Sequence, residues 1–162
     1  MEISALELAD RAVAEAVIEV QRRAYRVEAD LIGSDGIPPL HETLEELLDS
    51  GETFLGARLE GKLAGFVSWK IAGDTLDLHR LAVDPGYFRR GVGRALVRAA
   101  EAAARSPSRV VVQTGAANEP AKALYRSEGF VEVGGQEPAP GIRVTLFEKR
   151  RGTASPRQPQ TP

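Results

Sequence analysis

Cysteine is absent from this chain of 162 residues, and histidine occurs only twice, at His41 and His79. The lack of cysteine excludes disulfide scaffolds, thiolate zinc sites, iron–sulfur sites and mechanisms with a cysteine nucleophile. Two histidines are too few for a histidine-rich metal site. We therefore expect chemistry that uses no metal.

An excess of charge of one sign is also lacking, because 21 Lys and Arg oppose 23 Asp and Glu. A net charge of −2 provides no strong basic field, so we expect neither a nucleic-acid partner nor a membrane partner. No run approaches 18 uninterrupted apolar residues. The acidic N-terminus does not resemble a signal peptide, and a cytoplasmic protein is the expectation.

The remaining composition, with 43% hydrophobic residues, is typical of one globular domain, which we place at residues 1–150. Apolar periodicity and turn residues predict a mixed α/β fold with an initial strand, two early helices and a three-stranded meander. A helix, a strand, a further helix and two final strands complete a mixed, mostly antiparallel sheet of about seven strands with about four helices on both faces. Residues 151–162 have no apolar pattern and are predicted to be a disordered tail.

The most informative segment is a glycine pair, Gly91 and Gly93, where a helix follows a strand. The first N–H groups of a helix lack internal partners and favour an anion such as a phosphate. Taken alone, the pair fits helix capping equally well. A P-loop is excluded because Arg94 and Ala95 replace the required Lys and Ser or Thr, and a Rossmann fingerprint is excluded because Leu96 replaces the third glycine.

Three segments taken together resemble the GNAT acyltransferase superfamily. They are Leu81–Pro85, Phe88–Val97 and the Asn118–Phe130 stretch with Ala121, Leu124, Tyr125 and Gly129 at the characteristic spacing. The resemblance implies the GNAT fold, acetyl-CoA as cosubstrate, and transfer of the acetyl group to a primary amine by direct attack in a ternary complex. The sequence departs from the family at Phe88, where Gln or Arg is common.

The resemblance also assigns residues to the cofactor and to the chemistry. The implied cofactor-binding residues are Leu81, Ala82, Val83, Arg89, Arg90, Gly91, Val92, Gly93, Arg94, Ala95, Asn118 and Tyr125. The backbone N–H at Val83 is expected to donate to the thioester carbonyl. The hydroxyl of Tyr125 is expected to protonate the departing thiolate.

Several residues are candidates for handling the acceptor. A protonated amine must lose a proton before it attacks. The candidates for the base are His79 and Asp77, which lie two residues apart on one face of a strand, with Glu28, Asp30 and Glu42 as more distant alternatives. His79 is preferred for its pKa, and it could act directly or through water. Carboxylates that could recognise a cationic amine are Glu28, Asp30, Glu42 and Asp77. The acceptor is expected to be a small-molecule or peptide amine, and homodimer formation is left open. The alternatives are a catalytically weak or inactive CoA-binding module of the same fold and, less favoured, a nucleotide binder.

Overall fold

The central layer of the protein is one seven-stranded sheet, formed within residues 1–152, the part of the chain that the computed structural model describes. Its strands are β1 Glu2–Ala5, β2 Thr53–Leu59, β3 Lys62–Ala72, β4 Thr75–Val83, β5 Arg109–Gly115, β6 Val131–Ala139 and β7 Ile142–Arg150. They lie in the order β1-β2-β3-β4-β5-β7-β6, and every neighbouring pair is antiparallel except β4 with β5. The predicted mixed, mostly antiparallel sheet is confirmed.

Helices cover both faces of the sheet. They are α1 Arg11–Ile32, α2 Pro38–His41, α3 Leu44–Leu48, α4 Val92–Ala103 and α5 Glu119–Ser127. On one face α1 packs its buried Val17 and Val20 near Phe54 and Phe66. On the other face α4 and α5 enclose a larger core that contains Leu96, Val97, Val110, Tyr125 and Phe147. Among residues 1–152, no helix has both the length and the apolarity needed to cross a bilayer.

Two predicted elements differ from the structure. The segment before α3 contains a short additional helix, α2, because Pro38 and Pro39 occupy its first positions, where a missing N–H is tolerated. The sequence pattern predicts a strand only at residues 130–133, whereas β6 continues through Ala139. Its ladder with β7 is irregular between Glu132 and Gly134 and again between Gln136 and Ala139, so bulges accommodate the glycine and proline residues of this strand.

A β-bulge lies in the middle of β4. Ser68 of β3 pairs with Arg80, whereas the next residue, Trp69, pairs with Leu78, so His79 is an extra residue. Both His79 and Arg80 approach the same carboxylate, that of Glu52, which places two consecutive side chains on the α1 face. Bulges bend a strand and interrupt regular pairing.

The end of the described chain is attached to the domain. The backbone N–H of Arg151 donates to the Ser108 carbonyl at 2.7 Å, and its guanidinium donates to the carbonyls of Glu101, Ala104 and Pro107. These contacts satisfy carbonyl groups at and just beyond the C-terminus of α4. Residues 153–162, where most of the predicted tail falls, lie outside the described residues.

We expect Arg151→Ala to lower the free energy of unfolding by about 1–2 kcal/mol, because charge-assisted bonds to the last carbonyls of a helix are lost. Urea denaturation measures the change. The matched control is Arg150→Ala, whose guanidinium is 70% exposed and pairs with Glu148, and which should change stability by about 0.5 kcal/mol or less. Equal effects of the two substitutions would show that Arg151 is not a capping residue.

Candidate functional site

The central feature of the site is a fork between β4 and β5. The two strands pair only at Thr75–Arg109, Leu76–Val110 and Asp77–Val111. Beyond these pairs β4 remains bonded to β3 and β5 to β7, so the facing edges of the two strands separate. Such edges have unpaired N–H and C=O groups and can accept an extended ligand.

The backbone amides that face the fork can be identified from the neighbouring ladder. The N–H of Asp84, just after β4, donates to the carbonyl of Ala64 in β3 at 2.8 Å. Because amides alternate in direction along an antiparallel strand, those of Leu81 and Val83 point away from β3 and into the fork. The predicted donor at Val83 therefore lies where a ligand in the fork would reach it.

The loop predicted to bind the pyrophosphate lies between the end of β4 and α4. Arg89 and Gly91 both have left-handed backbone conformations, with φ of 65° and 77°. Left-handed residues in a loop can turn successive N–H groups toward one side, and the first N–H groups of α4, which have no partner within the helix, follow directly. Arg89 is a non-glycine residue at positive φ, a strained conformation that is often found at functional sites.

The two glycines of the loop have different roles. An added Cβ at Gly91 meets nothing within 4 Å, so glycine is needed there for its conformation. A Cβ at Gly93 would lie 3.2 Å from Leu124 Cδ2 and 3.8 Å from Val83 Cγ2. At Gly93, therefore, glycine permits close packing of α4 against α5 and β4.

The arginine side chains of the loop have different partners. Arg94 donates to Ser127 and pairs with Glu128, so its side chain is directed to the end of α5, although its backbone belongs to the first turn of α4. The guanidinium carbon of Arg90 lies 5.5 Å from the centroid of the Tyr87 ring. The side chain of Phe88, the departure from the family pattern, is 45% exposed. Val92 is buried under the loop.

Tyr125 lies in the larger core, with 3% of its surface exposed. Its ring contacts Phe130 and Phe147 at centroid distances of 5.6 and 5.7 Å. Burial, and secondly the negative charge of Glu28, raise the pKa of Tyr125 above its usual value. The phenol is therefore fully protonated near neutral pH, as a proton donor must be.

Asn118 connects α5 to α1 across the end of β5. Its Oδ1 accepts from the Ala121 N–H at 3.2 Å, which caps α5, and its Nδ2 donates to Glu28 Oε1 at 2.8 Å. The same Glu28 oxygen accepts from Thr114 Oγ1 at 3.0 Å. Of the four carboxylates predicted to recognise an amine, Glu28 is thus the one held beside Asn118 and Tyr125.

Tyr25 belongs to the same region, and sequence reasoning did not select it. Its phenol faces the backbone of Leu81, and it precedes Glu28 by about one helical turn, on the same side of α1. Burial and then the charge of Glu28 raise the pKa of Tyr25. Tyrosines from two elements therefore surround Glu28.

A buried ion-pair network lies below this region, on the α1 face of β4. Arg80, 8% exposed, donates to both oxygens of Glu42 and to both oxygens of Glu52. Its Nη1 also donates to Gln21 Oε1 at 2.9 Å. The prediction treated Glu42 as a carboxylate for an amine; in the structure its charge is taken by Arg80, because a buried guanidinium requires anions within bonding distance.

The other predicted acceptor residues do not form one group. His79 lies with Nδ1 at 3.4 Å from Glu52 Oε2 and Nε2 at 3.4 Å from Asp77 Oδ2, so His79 and Asp77 are neighbours as expected. Both line a groove of about 430 Å³ at the closed end of the fork, together with Arg109, Val111 and Gln113. Asp30 is exposed on α1.

Arg80, Glu52 and Gln21 are structural residues of the site that sequence reasoning missed. The available signal was a polar residue at a position where the helical pattern calls for an apolar one. Gln21 is such a residue, because it follows Val17 by four positions and Val20 by one. Such a residue must find buried polar partners. Which partners it finds depends on contacts across 59 positions of sequence, for example between Gln21 and Arg80.

The fork, the loop of left-handed residues before α4 and the buried tyrosine of α5 are arranged around the end of β4. The sequence profile of the acetyltransferase (GNAT) family matches residues 14–130. The chain belongs to the acetyltransferase (GNAT) family.

Curated relatives support this assignment. The chain is 34% identical over 145 residues to the UPF0157 protein YqkA of Bacillus subtilis, covering 90% of this chain and 42% of YqkA. It is 36% identical over 118 residues to the N-alpha-acetyltransferase RimI of Mycobacterium tuberculosis, covering 70% of this chain and 73% of RimI. The chain thus spans less than half the length of YqkA.

Solved structures share the fold. The ribosomal-protein-S18-alanine N-acetyltransferase from Escherichia coli superimposes with a TM-score of 0.77 at 23% identity over 98% of each chain. The PaiA N-acetyltransferase from Thermoplasma acidophilum, in complex with coenzyme A, superimposes with a TM-score of 0.70 at 24% identity, over 93% of this chain and 99% of that chain. At these identities the likeness concerns the fold.

The Arg80 network makes a prediction about acid stability. Burial alone raises the pKa of Glu52, but hydrogen bonds from Arg80 and Ser68 and the charge of Arg80 outweigh it, so the pKa in the folded state is lowered. The ionised Glu52 therefore stabilises the folded state at pH values above the unfolded-state pKa of about 4.3. This stabilisation is lost as the pH falls through the lower folded-state pKa.

We expect Glu52→Gln to lower the free energy of unfolding at pH 7 by about 1–3 kcal/mol, because Arg80 loses one of its two anions. The difference from wild type should shrink as the pH falls below about 4.3. Urea midpoints between pH 7 and pH 3 test this, with exposed Glu45→Gln as the control. A difference that is independent of pH would contradict the role of the Glu52 charge.

Proposed function

We propose that the protein transfers the acetyl group of acetyl-CoA to a primary amine by direct attack in a ternary complex. The observation that carries the proposal is the fork between β4 and β5, with the amides of Leu81 and Val83 on one edge and Tyr125 beside it. With no cysteine in the chain, a cysteine acyl-enzyme is excluded.

The residues of the site fit the parts of acetyl-CoA. Its pyrophosphate matches the N–H groups of the loop at Arg89–Arg94, where the positive end of α4 also favours an anion. Its pantetheine arm matches the free edge of β4 at Leu81–Val83, because amide groups of the arm can pair with strand backbone. The side chains of Leu81 and Val83 pack against the larger core and give that edge a fixed position.

The chemistry requires polarisation of the thioester and protonation of the leaving group. A Val83 N–H donor stabilises the negative charge that develops on the carbonyl oxygen. The hydroxyl of Tyr125 protonates the thiolate as the bond between carbon and sulfur breaks. The raised pKa of Tyr125 makes it a weak acid, so its contribution lies at the low end of the usual range.

A peptide α-amine is the acceptor to test first. RimI of Mycobacterium tuberculosis is an N-alpha-acetyltransferase by name, and an α-amine has a pKa near 8, so a useful fraction is neutral at pH 7. The groove at the closed end of the fork, lined by Asp77, His79 and Gln113, offers polar groups to an acceptor. Small-molecule amines form the second part of the panel.

Cofactor binding is tested by thermal denaturation. We expect CoA to raise the melting temperature, whereas the same concentration of NAD does not, because both carry a pyrophosphate and only CoA has a pantetheine arm for the fork. Equal shifts would contradict the proposal and favour a nucleotide site. A shift with CoA but no thiol release with any amine would instead favour a CoA-binding module without turnover.

Tyr125→Phe separates packing from catalysis, because it keeps the ring contacts with Phe130 and Phe147 and removes the hydroxyl. We expect the chemical step to slow by about 10²-fold with little change in the affinity for acetyl-CoA. Single-turnover measurements with Tyr87→Phe as the control test this. A wild-type rate in Tyr125→Phe would assign the proton to water or to another group.

A further inference from the structure

Glu28 differs from the other partly buried carboxylates of the described chain because no cation neutralises it. Six of the others pair with Arg or Lys: Glu42 and Glu52 with Arg80, Asp84 with Arg23, Glu101 with Lys149, Glu128 with Arg98, and Glu148 with Arg109. The seventh, Asp77, contacts the His79 ring. Within residues 1–152, no Lys, Arg or His nitrogen lies within 4.0 Å of the Glu28 carboxylate. A partly buried anion of this kind is stabilised by a cationic ligand.

The carboxylate is held in a fixed position. Asn118 Nδ2 and Thr114 Oγ1 both donate to Glu28 Oε1, at 2.8 and 3.0 Å. In the described chain Oε2 accepts no hydrogen bond and is available for a further donor. The close approach of α1 depends on Gly115, where an added Cβ would lie 2.6 Å from Ile32 Cγ2.

The surroundings of Glu28 are those of the reaction centre. Asn118 and Tyr125 lie two helical turns apart on the same face of α5, and Tyr25 approaches the backbone of Leu81 at the edge of the fork. His79, the base expected from sequence, lies at the closed end of the fork, two and four residues from Leu81 and Val83. Glu28 is hydrogen-bonded to Asn118, and its charge acts on Tyr125, the group proposed to protonate the thiolate.

The following inference rests on the proposed function. We propose that Glu28 binds the ammonium group of the acceptor and accepts the proton that the acceptor nitrogen loses as this nitrogen attacks the thioester. The bound ammonium first releases one proton to water, so that a neutral amine attacks. Its nitrogen forms a bond to the carbonyl carbon and gives a second proton to Glu28, the bond between carbon and sulfur breaks, and the thiolate takes the phenolic proton of Tyr125. The proton on Glu28 then passes to the phenolate. The net result is an amide, a thiol and one proton released to water, with both residues restored.

Glu28 also couples the two proton transfers. Its negative charge is the second contribution, after burial, that raises the pKa of Tyr125. When the carboxylate becomes protonated, this contribution disappears, and the phenol becomes a stronger acid at the stage when the thiolate forms. Asn118 and Thr114 are positioning residues in this scheme, because they act through Glu28.

The test compares wild type with Glu28→Gln, which removes the charge and keeps an oxygen for Asn118 and Thr114. The control is Glu15→Gln, an exposed carboxylate on the same helix that pairs with Arg11. Two acceptors are used: alaninamide, whose amine is partly cationic at neutral pH, and hydroxylamine, which is uncharged there. CoA-induced thermal shifts verify that each variant is folded and binds the cofactor.

We expect Glu28→Gln to reduce kcat/KM for alaninamide by about 10²-fold, with a much smaller loss for hydroxylamine and a wild-type CoA shift. Thr114→Val should give a smaller loss in the same direction, and Thr114→Ser should restore activity. Equal losses with both acceptors would overturn the proposal and make Glu28 a structural residue.

A binding measurement tests ammonium recognition by Glu28 independently of acetyl transfer. Alaninamide is titrated by NMR into the complex with CoA, where no acetyl transfer takes place. We expect its Kd to rise roughly tenfold or more in Glu28→Gln. An unchanged Kd would overturn ammonium recognition by Glu28. Failure of wild type to release thiol with any amine would overturn the proposed function, whatever the binding result.

Discussion

The separation of β4 from β5 after three residue pairs is the constraint on which the site depends. It has a local cause two residues further on, where His79 is inserted into β4 and bends the strand. Because of the bulge, Leu78 and Leu81 both pack on the larger core, whereas regular alternation would put them on opposite faces. The amides of the following residues are left without a strand partner on one edge.

Arg80 fixes this bulge at the cost of burying a charge. A guanidinium out of water is stable only when anions and hydrogen bonds replace its hydration, and Glu42, Glu52 and Gln21 provide them. These partners come from α1, from the end of α2 and from the start of β2. One ion-pair network therefore connects the early helices to the strand that bends, so the fork is built into the folded state before a ligand arrives.

Local patterns predicted much of this architecture. Apolar residues at helical spacing, such as Val17 and Val20, predict the early helix α1, and both are buried; the Glu60–Gly61 pair predicts the turn that follows β2. Both features depend only on neighbouring residues. The bulge at His79 leaves no such pattern, and the partner of Glu28 is Asn118, 90 positions away. Contacts of that range depend on the packing of α1 across the sheet, which composition and periodicity do not encode.

The position of α1 also accounts for the difference between the cofactor side and the acceptor side. Arg23 reaches Asp84, whose other oxygen accepts from the Gly86 N–H just before the loop that precedes α4. Glu28, five residues and about 7.5 Å further along the helix, reaches the end of β5 and the start of α5. One rigid helix is therefore fixed to both arms of the fork. Widening of the fork would break these bonds together, and so the distance between the loop before α4 and the Glu28 carboxylate is set by the spacing of Arg23 and Glu28 on α1.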